Sequence, residues 1–157
     1  VLAAMEVPDD FNAILSCVKK EYVYRIMNTR IRDPFLQKRV CFYPAPLDIG
    51  RMKAAGRAFE GTHDFRAFSS YRRTKKSTVR TLERIGIERR GEELQLSFTG
   101  DGFLYHMVRI LAGTLIEVGL HRREPEEMER ILASLDREQA GFTAPAQGLC
   151  LVSVEYE

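Results

Sequence analysis

Arg109 is the residue whose type and setting most clearly ask for a chemical explanation. It interrupts the most apolar run of the chain, between Met107-Val108 and Ile110-Leu111. That run predicts a helix over 103–118, with Arg109 in its middle. Tyr105, His106, Ala112 and Gly113 then share its face, because residues three and four apart are helical neighbours. A buried guanidinium needs an anionic partner. Glu117, the obvious one, lies about 12 Å away along a helix that rises 1.5 Å per residue, so the partner is expected outside this helix. Two readings stay open: a structural ion pair, or an arginine that positions a carboxylate or a phosphate.

Tyr22 and Tyr24 are the next candidates. Two residues apart on a strand, they point to one face. They are either core aromatics or, on an open sheet face, a platform on which a splayed base stacks. Thr99-Gly100-Asp101-Gly102-Phe103 has the look of a catalytic loop, but Asp101 reads better as the N-cap of the helix that follows. No Ser/His/Asp, P-loop or dinucleotide glycine pattern is present. Cys17, Cys41 and Cys150 form no C-x-x-C pair, and His63, His106 and His121 share no metal-ligand spacing with them. The cysteines are expected to be buried structural thiols in a reducing compartment, the cytoplasm, with no metal site.

Charge adds a further candidate. From Arg66 to Arg90 there are nine basic residues and two acidic ones, a net of +7, which leaves −5 for the rest of a chain whose total is +2. The dense part includes Arg72, Arg73, Lys75 and Lys76 and has no apolar period, so it reads as an exposed loop. Such a patch is either a solvated surface or an electrostatic footprint for a polyanion.

The elements that position these residues can be read from periodicity. Residues 19–28 alternate as a strand. Asp33-Pro34 and Pro44-Ala45-Pro46 mark a loop. Asp48 caps a helix carrying Ile49, Met52, Ala55 and Phe59 that runs until Gly61. Residues 78–88 and the alternating Leu94, Leu96 and Phe98 form a hairpin around Arg89-Arg90-Gly91-Glu92. The apolar helix follows, then a second one from Glu126 behind Pro125. Leu149, Leu151 and Ser153 alternate with Cys150, Val152 and Val154 in a last strand. The order β-α-β-β-α-(α)-β predicts an α+β, ferredoxin-like domain, with a mainly antiparallel four-stranded sheet and helices on one face.

At 157 residues and 45% hydrophobic composition, the chain is long enough for one domain with its own core and too apolar for a disordered tail. Its longest apolar stretch, 107–120, is broken by Arg109 and Glu117 and falls short of the ~18 residues of a membrane span. Glu6, Asp9 and Asp10 stand where a signal peptide would be basic. Val1 in place of Met suggests a processed or excised piece. These features leave an RNA-binding module and part of an RNA-modifying enzyme as alternatives. The strand 92–98 lacks the aromatic signature of an RNA-recognition motif.

Three blocks carry a resemblance. They are Val7-Pro8-Asp9-Asp10-Phe11-Asn12-Ala13 leading to Ser16 and Lys19-Lys20-Glu21-Tyr22-Val23-Tyr24-Arg25-Ile26; Gly102-Phe103-Leu104-Tyr105-His106-Met107-Val108-Arg109-Ile110 with Gly113-Thr114-Leu115; and Gly148-Leu149-Cys150-Leu151 with Val154-Glu155-Tyr156. Gly61-Thr62-His63-Asp64-Phe65 with Phe68, and Val79-Arg80, fall between them in order. The chain resembles the C-terminal half of the TruA-type tRNA pseudouridine synthases over nearly all its length.

The resemblance implies isomerisation of uridine to pseudouridine in the tRNA anticodon stem-loop, by a homodimeric enzyme without cofactor or metal. It implies that residues 1–157 are one domain, the second of two, with 1–17 as the entry from the first. The family's nucleophilic aspartate lies in an N-terminal G-R-T-D-x-G-V-H-type motif, which these residues do not contain. This piece alone is therefore expected to be inactive. By the same resemblance Arg109 pairs with that aspartate, and Tyr22 packs on the target base. Leu149, Phe103 and His106 fall in the substrate pocket, and Lys20 contacts phosphate. Ile14 stands where the family usually has an arginine, a loss for which Lys19 or the basic loop compensates.

Overall fold

Alternation decides which face each strand buries. In the computed structural model, which describes residues 3–70 and 77–156, β1 (Cys17–Met27) buries Tyr24 and Ile26 completely. Its neighbour β5 (Glu93–Gly100) does the same with Leu94, Leu96 and Phe98. The two run antiparallel, with Tyr22 opposite Phe98 and Tyr24 opposite Leu96. On the other edge of β1 lies antiparallel β6 (Leu149–Tyr156), with Leu149 opposite Tyr24. β4 (Val79–Arg90) pairs antiparallel with β5 through a tight turn in which Gly91 has φ +63°, a left-handed conformation that costs glycine little.

The four predicted strands thus stand in the order β6-β1-β5-β4, all antiparallel. This is the α+β, ferredoxin-like arrangement expected. The sheet also holds two short strands the sequence does not reveal. β2 (Cys41–Phe42) adds in parallel at the end of β1, and β3 (Gly61–Asp64) pairs antiparallel with β4. Two residues carry no period, and Gly-Thr-His-Asp has no apolar alternation. Among the described residues the sheet is therefore mixed and six-stranded.

α1 (Ile49–Arg57) starts where expected, with the Asp48 carboxylate accepting from the Arg51 amide at 3.1 Å. α2 (Met107–Gly119) buries eleven of its thirteen residues. It begins four residues later than its apolar run. Residues 103–106 form a turn, in which the Met107 amide bonds to the Leu104 carbonyl at 3.0 Å and His106 takes a left-handed φ of +62°. Asp101 is accordingly not its cap. The Asp101 carboxylate accepts instead from the Thr81 amide at 3.0 Å. α3 (Glu127–Ser134) follows Pro125.

α1 packs on β4, and α2 packs on α1 and β1, so Tyr24, Ile26, Leu96 and Phe98 meet helices in one core. Tyr22 shares that face and packs against the same core. The idea of a tyrosine on the sheet's open face is therefore corrected. The opposite face is polar, with Glu21, Arg84, Glu88, Gln95 and Ser97 around a shallow depression. There Arg25 clamps Glu93 bidentately at 2.9 and 2.6 Å. Only Cys41 is a buried thiol; Cys17 is half-buried and Cys150 exposed, because Cys150 faces outward from β6. No helix among the described residues is long and apolar enough to cross a membrane.

Candidate active site

The late start of α2 moves Arg109 from mid-helix to the helix's first turn. There its charge adds to the positive end of the helix dipole rather than opposing it. The side chain is half-buried, and its Nε donates to the Ala144 carbonyl at 2.7 Å. The Ala144 amide returns a bond to the Arg109 carbonyl at 3.0 Å. Among the described residues no carboxylate comes within ion-pair distance of the guanidinium. The partner is outside the helix, as expected, but it is a neutral carbonyl. A cation at a helix N-terminus with neutral company is set to receive an anion.

On the face of β1 against which α2 packs stands Tyr22. Its ring meets Phe103 edge to face, with centroids 5.1 Å apart and planes at 81°. Phe103 sits in the turn that connects β5 to α2, so that turn sets the angle of the tyrosine. Leu149, half-exposed at the start of β6, packs against the same core as both rings. Leu151 stands across from Tyr22 in the β1–β6 ladder and is 48% exposed, large for an apolar side chain with no partner to cover it. The Tyr22–Phe103 pair and Leu149, which stands opposite Tyr24, are thus the aromatic and aliphatic side chains at this corner of the core.

His106 is the residue before α2. Its Nδ1 is hydrogen-bonded to the Ser70 hydroxyl at 3.0 Å, and its ring stacks on Tyr105 at 3.8 Å. The Ser70 amide donates to the Tyr105 carbonyl at 3.2 Å. Burial, and then the charge of Arg109, hold the His106 imidazole below its ordinary pKa. It therefore favours the neutral form near its cationic neighbour.

The lysines divide between faces. Lys20 lies on the Tyr22 side, across from Gly100. Lys19 lies on the opposite side, between Glu83 at 3.3 Å and Glu155 at 3.6 Å. The Glu83 carboxylate, with Glu155, raises its pKa. Arg72, Arg73, Lys75 and Lys76 lie outside the described residues. Among the described residues no three His, Cys, Asp or Glu side chains gather as a metal site.

Sequence reasoning missed Ser70 and Ala144. One contributes a hydroxyl and the other a carbonyl, each from more than thirty residues away in the chain. A half-buried arginine at the head of α2, with Nε already held by a carbonyl, can receive an anion on its terminal nitrogens.

Comparison with known proteins gives that corner its family. Residues 55–157 match the model of a family described as tRNA pseudouridine synthase. The chain is 44% identical over 156 residues to tRNA pseudouridine synthase A 2 of Clostridium tetani, covering 99% of this chain and 63% of that protein. It is 46% identical over 158 residues to tRNA pseudouridine synthase A of Listeria monocytogenes serotype 4a, covering 99% and 64%. With tRNA pseudouridine synthase A of Bartonella tribocorum the identity is 40% over 156 residues, covering 99% and 63%. The chain belongs to the tRNA pseudouridine synthase family, as its resemblance implied. It spans somewhat under two thirds of the length of these relatives.

Proposed function

We propose that this chain is the tRNA-binding, active-site-completing domain of an enzyme that isomerises uridine to pseudouridine in the tRNA anticodon stem-loop. The observation that carries the reading is Arg109. It stands in the first turn of α2, bonded through Nε to the Ala144 carbonyl. Its terminal nitrogens await a carboxylate. In this reading the carboxylate is the nucleophilic aspartate of a preceding domain, and residues 1–17 are the entry from that domain.

The reaction breaks the bond between C1′ of the ribose and N1 of the base. The base turns and rejoins through C5; the C5 proton leaves and N1 takes up a proton, so that the product is an isomer of the substrate. Each residue of the corner has a part. Arg109 fixes the aspartate, Tyr22 packs on the base against the Phe103 edge, and Leu149 lines the pocket with His106 at its rim. The base must first leave its stack, at a cost of a few kcal/mol. Lys20 and the basic segment Arg72-Arg73-Thr74-Lys75-Lys76 hold the RNA backbone during that step, whereas Lys19 is engaged by Glu83 and Glu155 on the opposite face. The family resemblance further supports a homodimer working in the cytoplasm without cofactor or metal.

Tritium release from 5-tritiated uridine in tRNA tests the reading on full-length enzyme. Arg109→Ala is expected to lose at least about a hundredfold in turnover, the scale of losing one positioned charge, and still to bind tRNA. Wild-type turnover by Arg109→Ala would overturn the proposal. It would leave a ferredoxin-like RNA-binding module as the better description.

A further inference from the structure

Arg109 is held by a second stretch of chain. Residues 140–148 cross over α2 on their way to β6. Glycines on both layers make the approach possible: a Cβ on Gly113 would sit 1.9 Å from the Phe142 carbonyl oxygen, and one on Gly141 would sit 2.7 Å from Thr114 Cα. The crossing is anchored at three points. Thr114 is fully buried; its hydroxyl donates to the Ile110 carbonyl at 2.8 Å and accepts from the Gly141 amide at 2.9 Å. Ala144 exchanges its two bonds with Arg109. The Tyr24 hydroxyl donates to the Pro145 carbonyl at 2.7 Å, and burial raises its pKa so that it remains a donor.

The chemical consequence lies in the guanidinium. It offers five N–H groups in one plane. With Nε committed to Ala144, rotation about the side-chain axis is fixed. The edge formed by the two terminal nitrogens then remains to grip a carboxylate with two parallel bonds. A crossing segment displaced by an ångström would carry the Ala144 carbonyl with it and turn that edge away. Tyr24 ties the same segment to β1, the strand that presents Tyr22, so one strap relates the arginine to the tyrosine.

We propose that the 140–148 strap is the positioning device of the active site, with Thr114 and Tyr24 as positioning residues that act on the reaction through Ala144 and Arg109. The inference rests on Arg109 being the partner of the catalytic aspartate.

Kinetics of the full-length enzyme test it. Thr114→Val keeps the shape and removes the hydroxyl. Its kcat is expected to fall about 10- to 100-fold, the scale of a misplacement of about 1 Å, with KM for tRNA changed less than about threefold. Thr114→Ser is expected to restore kcat to within about threefold. Tyr24→Phe, which removes the distal anchor together with the hydroxyl's contact to the Cys41 thiol, is expected to lower kcat about 3- to 10-fold at unchanged KM, and it keeps the test open should Thr114→Val fail to fold. Amide hydrogen exchange at Ala144 is expected to accelerate in both variants. Wild-type kcat in Thr114→Val and Tyr24→Phe, alongside an inactive Arg109→Ala, would overturn the strap and leave the functional reading intact. Full turnover by Arg109→Ala would overturn both.

Discussion

The Tyr22 ring is held at a right angle to Phe103, its edge-to-face neighbour from the turn before α2. Such a pair contributes about 0.5–1.5 kcal/mol beyond the area it buries, and here it also fixes the plane of the Tyr22 ring. Phe103→Ala is expected to lower stability by about 1–2 kcal/mol in urea denaturation and kcat/KM by about tenfold in tritium release, because Tyr22 loses the wall that sets its tilt. Tyr22→Phe keeps the ring pair. Its stability is expected to stay within about 0.5 kcal/mol of wild type, so any fall in turnover reports on the hydroxyl alone.

What was legible in the sequence follows from what leaves a period or a composition mark. Leu94, Leu96 and Phe98 show period two because one face of β5 meets helices and the other does not. Asp48 could be placed because an N-cap is a local bond between a side chain and an amide three residues on. Arg109 was visible as a charge in an apolar run. Its partner was not, because every residue has a carbonyl and nothing in Ala144 marks which carbonyl is used. Asp101 misled for a related reason. It had the side chain of a cap, but the tertiary pairing with Thr81 won, and the helix began behind a histidine that no cap rule selects. The corner was therefore legible in its charged and aromatic members and silent in the backbone groups that aim them.

Basic side chains that neutralise phosphates release counterions, and each such contact steepens the fall of affinity with salt by about 0.7–0.9 on a log–log plot. Lys75→Ala/Lys76→Ala in the full-length protein is expected to flatten the salt dependence of tRNA affinity by about 1.5. Filter binding over 50–300 mM salt would measure it. An unchanged slope would return the segment to a solvated surface and leave the backbone contacts to Lys20 and its neighbours.

His106 makes stability depend on pH in a defined direction. Because its folded pKa is lowered by burial and by Arg109, the unfolded chain binds a proton at a pH where the native chain does not. The contribution of the neutral imidazole is full above the unfolded value of about 6.5. It is lost as pH falls from there through the lowered folded value. His106→Asn removes the titration and tolerates the left-handed backbone. The stability difference between pH 7.5 and pH 5, from urea melts, is expected to be smaller in His106→Asn than in wild type.

Glycine to alanine inside a helix ordinarily stabilises by up to about 1 kcal/mol, and α2 holds two glycines at which that rule should fail to different degrees. At Gly119 the new Cβ would lie 2.8 Å from the sulfur of Met52, the flexible end of a side chain that can turn aside. At Gly113 it would lie on the Phe142 carbonyl, which moves only if the segment crossing the helix moves. Gly113→Ala is therefore expected to cost at least about 2–3 kcal/mol in urea denaturation, the upper range for overpacking, and Gly119→Ala about 1 kcal/mol or less. The two should also separate in function. Lifting the segment at Phe142 shifts Ala144 two residues on and, with it, the bond to Arg109 Nε. Gly113→Ala is thus expected to lose turnover under conditions where it remains folded, whereas Gly119→Ala, at the far end of the helix and clear of that bond, keeps it.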